Sequence, residues 1–103
     1  MTYRLRVTAR GVADADEAHA WIADHLSVAQ AERWYEGLFK QMETLTLQPT
    51  RCPLAPECDR FQMELRQLLY GKRHNKHRII FTIRDNDVIV LFVHHSARAE
   101  LEP

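Results

Sequence analysis

The last third of this chain constrains its fold most strongly. Three apolar runs, Met63–Tyr70, His77–Ile83 and Val88–His94, follow one another with only short breaks. The first break is cationic, Gly71-Lys72-Arg73-His74-Asn75-Lys76, and the basic character continues into His77-Arg78. The second is a tight turn, Arg84-Asp85-Asn86-Asp87. Apolar runs of this length, bounded by Gly, Asn and Asp, read as strands joined by turns. Connections this short join antiparallel neighbours. The expected unit is a three-stranded antiparallel meander.

Side chains alternate faces along a strand. Met63, Leu65, Gln67 and Leu69 therefore share one face, opposed by Glu64, Arg66, Leu68 and Tyr70. His77, Ile79, Phe81 and Ile83 oppose Arg78, Ile80, Thr82 and Arg84. Strict alternation puts Val88, Val90, Phe92 and His94 opposite Ile89, Leu91, Val93 and His95. The later strands are apolar on both faces near their middles. That calls for an interior position in the sheet or a partner on the second face.

The N-terminal half supplies the cover for one face. Tyr3, Leu5 and Val7 alternate with Arg4, Arg6 and Thr8, the pattern of a strand buried on one side. Thr8 is a good N-cap for a helix running to about Asp24, and Asp14, Asp16 and Glu17 suit the early turns of such a helix. Ala15, Ala18, Ile22 and Leu26 trace one stripe, with Trp21 beside it. Ser27-Val28-Ala29-Gln30 has the capping-box form and starts a second helix. Its apolar positions are Ala31, Trp34, Tyr35, Leu38, Phe39, Met42 and Leu45. The link between the helices is short, so they form an antiparallel hairpin. A lone hairpin cannot bury so wide a face, and the sheet is its packing partner. Pro53 and Pro56 make the following stretch, Thr50–Asp59, an extended connection.

At 103 residues the chain makes one α+β domain. Lys plus Arg and Asp plus Glu each number 14, so whole-molecule charge gives no argument for nucleic-acid binding. The distribution is uneven, with cations at 72–78 and acids at Asp14, Asp16, Glu17 and Asp24. No run reaches the ~20 apolar residues of a membrane span, and the N-terminus has no signal-peptide core. A cytoplasmic protein is expected. Cys52 and Cys58 match no metal-ligand spacing, even with His74, His77, His94 and His95 considered, and a disulfide is not expected in reducing cytosol. No metal or cofactor is expected.

The stretches Glu64-Leu-Arg-Gln-Leu-Leu-Tyr-Gly71, His77-Arg-Ile-Ile-Phe-Thr-Ile83 and Val93-His-His-Ser-Ala-Arg98 resemble the RelE/ParE superfamily of toxins from bacterial type II toxin–antitoxin systems. The opening strand, the helix pair with Ala31-Glu32-Arg33-Trp34, and Arg51-Cys-Pro-Leu-Ala-Pro-Glu57 sit where that superfamily has similar segments. The resemblance implies a strand, a helical hairpin and three antiparallel strands in one sheet. It also implies a growth-inhibiting toxin held in a hetero-oligomer by a cognate antitoxin. RelE-like members cut mRNA in the ribosome; ParE-like members poison DNA gyrase.

If the chain is a ribosome-dependent endoribonuclease, its catalytic candidates are Arg78, Glu64, His94 and His95. Arg78 aligns by motif with an arginine that the nucleases place at the scissile phosphate. Glu64 and Arg78 are equally well placed for a simple cross-strand pair. Lys72, Arg73, Lys76, Arg66 and Arg98 are the candidate cations for binding target or antitoxin, with Trp34 and Tyr35 as apolar candidates. Three features favour the ParE-like branch. The chain lacks the excess positive charge that binding among rRNA phosphates rewards. No aromatic follows Arg98, where many of the nucleases carry one. The Val93–Arg98 ending resembles the gyrase-directed members. The expected target is therefore DNA gyrase; the alternatives are the ribosome with its mRNA, and a non-toxic relative that only binds antitoxin.

Overall fold

A computed structural model of the protein describes residues 2–103. The chain runs β1 (Arg4–Val7), α1 (Ala9–His25), α2 (Val28–Glu43), two 3-10 turns (Thr44–Thr46 and Pro49–Arg51), α3 (Cys58–Phe61), β2 (Arg66–Tyr70), β3 (His77–Arg84) and β4 (Asp87–His95).

Both helix starts are fixed by the expected caps. The Thr8 hydroxyl accepts from the Gly11 N–H at 3.0 Å, and the Ser27 hydroxyl accepts from the Gln30 N–H at 3.0 Å. Each satisfies an amide that the first turn leaves without a partner. The helices run antiparallel: Tyr35 donates its hydroxyl hydrogen to Asp16, and His19 stands against Glu32 and Tyr35.

The sheet order is β1-β4-β3-β2. The β2–β3–β4 meander is antiparallel as expected, but β1 lies parallel to β4, so the complete sheet is mixed. The helical hairpin carries the chain from β1 to the far edge, and the meander walks back to β1. β3 and β4 are interior strands, which accounts for their two apolar faces. Asp85 takes a left-handed φ of 55° in the β3–β4 turn, a conformation that a short polar side chain tolerates.

Strict alternation along the last strand fails at one place. Ile80 pairs with Phe92, but Phe81 pairs with Val90, which leaves Leu91 as the extra residue of a β-bulge. Val88, Val90 and Val93 consequently pack on the helices with Ile79, Phe81, Leu38 and Met42. Leu91 and Phe92 both pack on the opposite face, with Ile80, Leu65 and Phe61. The bulge thus turns His94 and His95 over relative to the simple pattern.

No outside partner is needed over the middle of that second face. The stretch expected as plain connection folds across it. Ala55 donates to the Leu65 carbonyl and Gln67 to the Pro53 carbonyl, and α3 brings Phe61 against Phe92. Leu101, from the C-terminal tail, completes the cluster.

Candidate functional site

Two neighbouring arrangements at the open end of the sheet carry most of the unusual chemistry. The first is a groove of about 960 Å³ between the helical hairpin and the ends of β2 and β4. Its helix wall comes from the α1 stripe. Ala15 is buried in the core, whereas Ala18, Trp21, Ile22 and Leu26 line the groove. Trp21 stays 56 % exposed and stacks on His25 with ring centroids 4.2 Å apart. Trp34 of α2 also lines the groove, together with Tyr70 and His77 from the sheet. Arg33, Lys72 and Arg98 ring it with positive charge, while Glu17 and the Arg10–Asp14 pair lie on the α1 side.

His77 forms part of the wall and is only 9 % exposed. Its ring lies 5.0 Å from Trp34 and 4.9 Å from His95, centroid to centroid. Nδ1 is buried without a hydrogen-bond partner. Burial first, then the nearby His95, Arg98 and His94, lower its pKa to about 4. The ring is therefore neutral at pH 7. Tyr70 beside it donates its hydroxyl hydrogen to the Trp34 carbonyl at 2.9 Å, and burial raises its pKa.

The second arrangement lies across the sheet. Arg78 is 8 % exposed and Glu57 fully buried. Their side chains meet at two points, 2.9 and 2.6 Å, and Gln67 Oε1 accepts a third Arg78 bond at 3.0 Å. The hydrogen bonds from Arg78 outweigh burial and lower the Glu57 pKa to about 2. Two-point pairing in a fixed plane is the strongest form such a pair takes.

The sequence candidates divide cleanly. Lys72, Trp34, His94, His95 and Arg98 line the groove. Tyr35 does not: it packs edge-on to His19 and against Phe39 within the hairpin. Arg66 sits on the far edge strand, where its guanidinium binds the Cys52 and Thr50 carbonyls and Glu64. Arg73 and Lys76 lie in the β2–β3 loop outside the groove lining. The Glu64–Arg78 pair weighed as an alternative to a catalytic role does not form, because Glu64 precedes β2 and turns to Arg66 while Arg78 turns inward to Glu57. The four nuclease candidates are consequently not gathered: Glu64 borders a small hollow with Leu54 and Met63.

Sequence reasoning missed Glu57, His77, Tyr70, Trp21 and Arg33. His77 had a visible signal, a histidine on the apolar stripe of Ile79 and Phe81. Glu57 had a fainter one, an acid set between Pro56 and Cys58 in a connection whose other charged residues are Arg51 and Asp59. Among the described residues, no three His, Cys, Asp or Glu side chains cluster as metal ligands, and no helix is long and apolar enough to cross a membrane.

A search of curated protein sequences gives no match to this chain. Among solved structures, the "Chromosomal ParDE TA system from P. aeruginosa" is similar with a TM-score of 0.73 at 13% identity, covering 91% of this chain and 96% of that one. At that identity the likeness speaks for the fold. The family model described as "ParE toxin of type II toxin-antitoxin system, parDE" matches residues 5–100, from the first strand to the tail. The chain belongs to the ParE toxin family of type II toxin–antitoxin systems.

Proposed function

We propose that this protein inhibits growth by binding DNA gyrase through the groove face, and that a cognate antitoxin neutralises it by covering that face. The observation that carries the choice of gyrase over mRNA cleavage is the state of Arg78. A phosphate-binding arginine must present free N–H groups to the reacting oxygens. Here both terminal nitrogens are engaged by Glu57 and Gln67 in the interior. The groove itself, aromatic walls with a cationic rim, suits docking a protein surface. The similar P. aeruginosa structure is of a ParDE toxin–antitoxin system, which supports an antitoxin partner here.

The deciding experiment is a DNA supercoiling reaction with purified gyrase, the toxin, and the antitoxin as control. Inhibition with accumulated cleaved DNA, reversed by antitoxin, is the expected result. Unimpaired supercoiling, together with codon-linked cuts in cellular transcripts, would replace this reading with the ribosomal nuclease.

A further inference from the structure

The C-terminal tail folds back over the sheet face opposite the groove. After β4 the chain reverses tightly: the Ala97 amide donates to His95 Nδ1 and the Arg98 amide to the His95 carbonyl. The tail then docks at several points. His94 Nε2 donates to the Ala99 carbonyl at 2.8 Å, an acceptor that fixes the ring hydrogen on Nε2. Arg60 pairs with Glu100 and reaches the Leu101 carbonyl at 3.4 Å. The Leu101 amide donates to Glu57 Oε2 at 3.0 Å, the same oxygen that Arg78 holds. The Leu101 side chain joins Ala55, Leu65 and Ile80.

Arg98 lies in the turn between this docked tail and β4, and it lines the groove on the other side. We propose that Glu57 and Arg60 are positioning residues for the partner site: by latching Glu100 and Leu101 they hold Arg98 at the groove's rim. A free tail would let the turn swing, and the rim charge would lose its fixed place. This role rests on the groove face being the one that meets the target, as proposed for the protein's function. The tail is then an anchor, acting through Arg98 and not by touching the target itself.

The test has one arm that is independent of the target. In the free protein, amide exchange of Leu101 and Arg98 is followed by NMR, with nitrogen-15 relaxation of the Arg98 guanidinium. Arg60→Glu should speed exchange at both amides at least tenfold and loosen the guanidinium, with the β3 amides unchanged. Arg60→Lys should retain most of the protection. Leu101→Pro, which removes the donor to Glu57 without touching a charge, should loosen Arg98 equally. Release of Leu101 with Arg98 unaffected overturns the proposal, as does an unprotected Leu101 amide in the wild type. The second arm is gyrase supercoiling. Arg60→Glu and Arg98→Ala should weaken inhibition to a similar degree, and the double variant should be no weaker than Arg98→Ala alone. Additive losses overturn the positioning role. Full potency of Arg98→Ala would refute the groove as the target surface and leave the first arm to decide the latch.

Discussion

Arg78 on β3 and Glu57 before α3 stand 21 residues apart in sequence and form a two-point ion pair at 2.9 and 2.6 Å inside the protein. The pair fastens the irregular 52–65 stretch to the sheet, since among the described residues Arg78 supplies the only opposite charge that Glu57 meets and the Leu101 amide adds a single hydrogen bond. Removing one partner strands the other's charge in the interior. Glu57→Ala should lower unfolding free energy by about 3–5 kcal/mol, and Arg78→Ala by a similar amount. Replacing both, Glu57→Met with Arg78→Met, should cost much less than either single change, because no charge is left behind. Urea unfolding of the four proteins measures this cycle. A double variant as weak as the sum of the singles would mean the pair is not the fastening.

Two buried groups that titrate on the acid side, His77 and Glu57, set separate limits of acid tolerance. His77 has its pKa lowered from 6.5 to about 4, so the unfolded chain binds a proton that the folded one refuses. Its neutral ring contributes full stability above pH 6.5, and that contribution falls as pH drops toward about 4. The slope has a ceiling of about 1.4 kcal/mol per pH unit. Burial is the main cause of the lowering, with His95, Arg98 and His94 beside the ring adding to it. Glu57, lowered from 4.5 to about 2, contributes stability above 4.5 that disappears as pH falls toward 2. His77→Phe should therefore flatten the upper window and leave the lower one in place. Unfolding free energies measured across both windows test the assignment; an unchanged slope between pH 6.5 and 4 would remove His77 from it.

Gly37 on α2 is a contact residue and not a flexible one. A Cβ built there overlaps the Tyr70 hydroxyl, which bonds the Trp34 carbonyl one turn earlier. Gly37→Ala would gain helix propensity, on the order of 1 kcal/mol. It would also push Tyr70 out of the groove wall, an overpacking cost of ~1–3 kcal/mol. The net change should be destabilising. Combined with Tyr70→Phe, which removes the overlapping oxygen, the same substitution should be close to neutral. Thermal unfolding of the single and double variants checks the coupling.

What the sequence disclosed follows the range of the interaction concerned. Thr8 and Ser27 cap helices through atoms three residues away, so both starts could be read directly. The meander was legible because its turns are short and its runs apolar. The bulge at Leu91 was not, since Val88–Val93 is apolar at every position and no polar residue marks where the alternation breaks. Arg78 was recognisable as a special cation, but its partner was not: nothing local distinguishes Glu64 from Glu57 until α3 folds over the sheet. The α1 stripe was correctly apolar. Its periodicity did not separate Ala15, which is buried, from Ala18, Ile22 and Leu26, which line the groove.

Docking at the groove should be charge-specific. Lys72→Glu and Arg98→Glu reverse two rim charges without disturbing a buried contact. If a partner surface docks there, each should weaken gyrase inhibition by roughly two- to fivefold, from about 0.5–1 kcal/mol of lost rim attraction. The loss should shrink as salt rises, because exposed charges are screened within about 10 Å at 0.1 M. Arg4→Glu and Arg6→Glu form the control. These side chains project from β1 toward Asp87, at the opposite end of β4 from the groove. They should change potency little. A supercoiling titration at two salt concentrations compares all four. Equal losses at the rim and at β1 would mean that overall charge governs the encounter, and the groove would lose its claim to be the binding face.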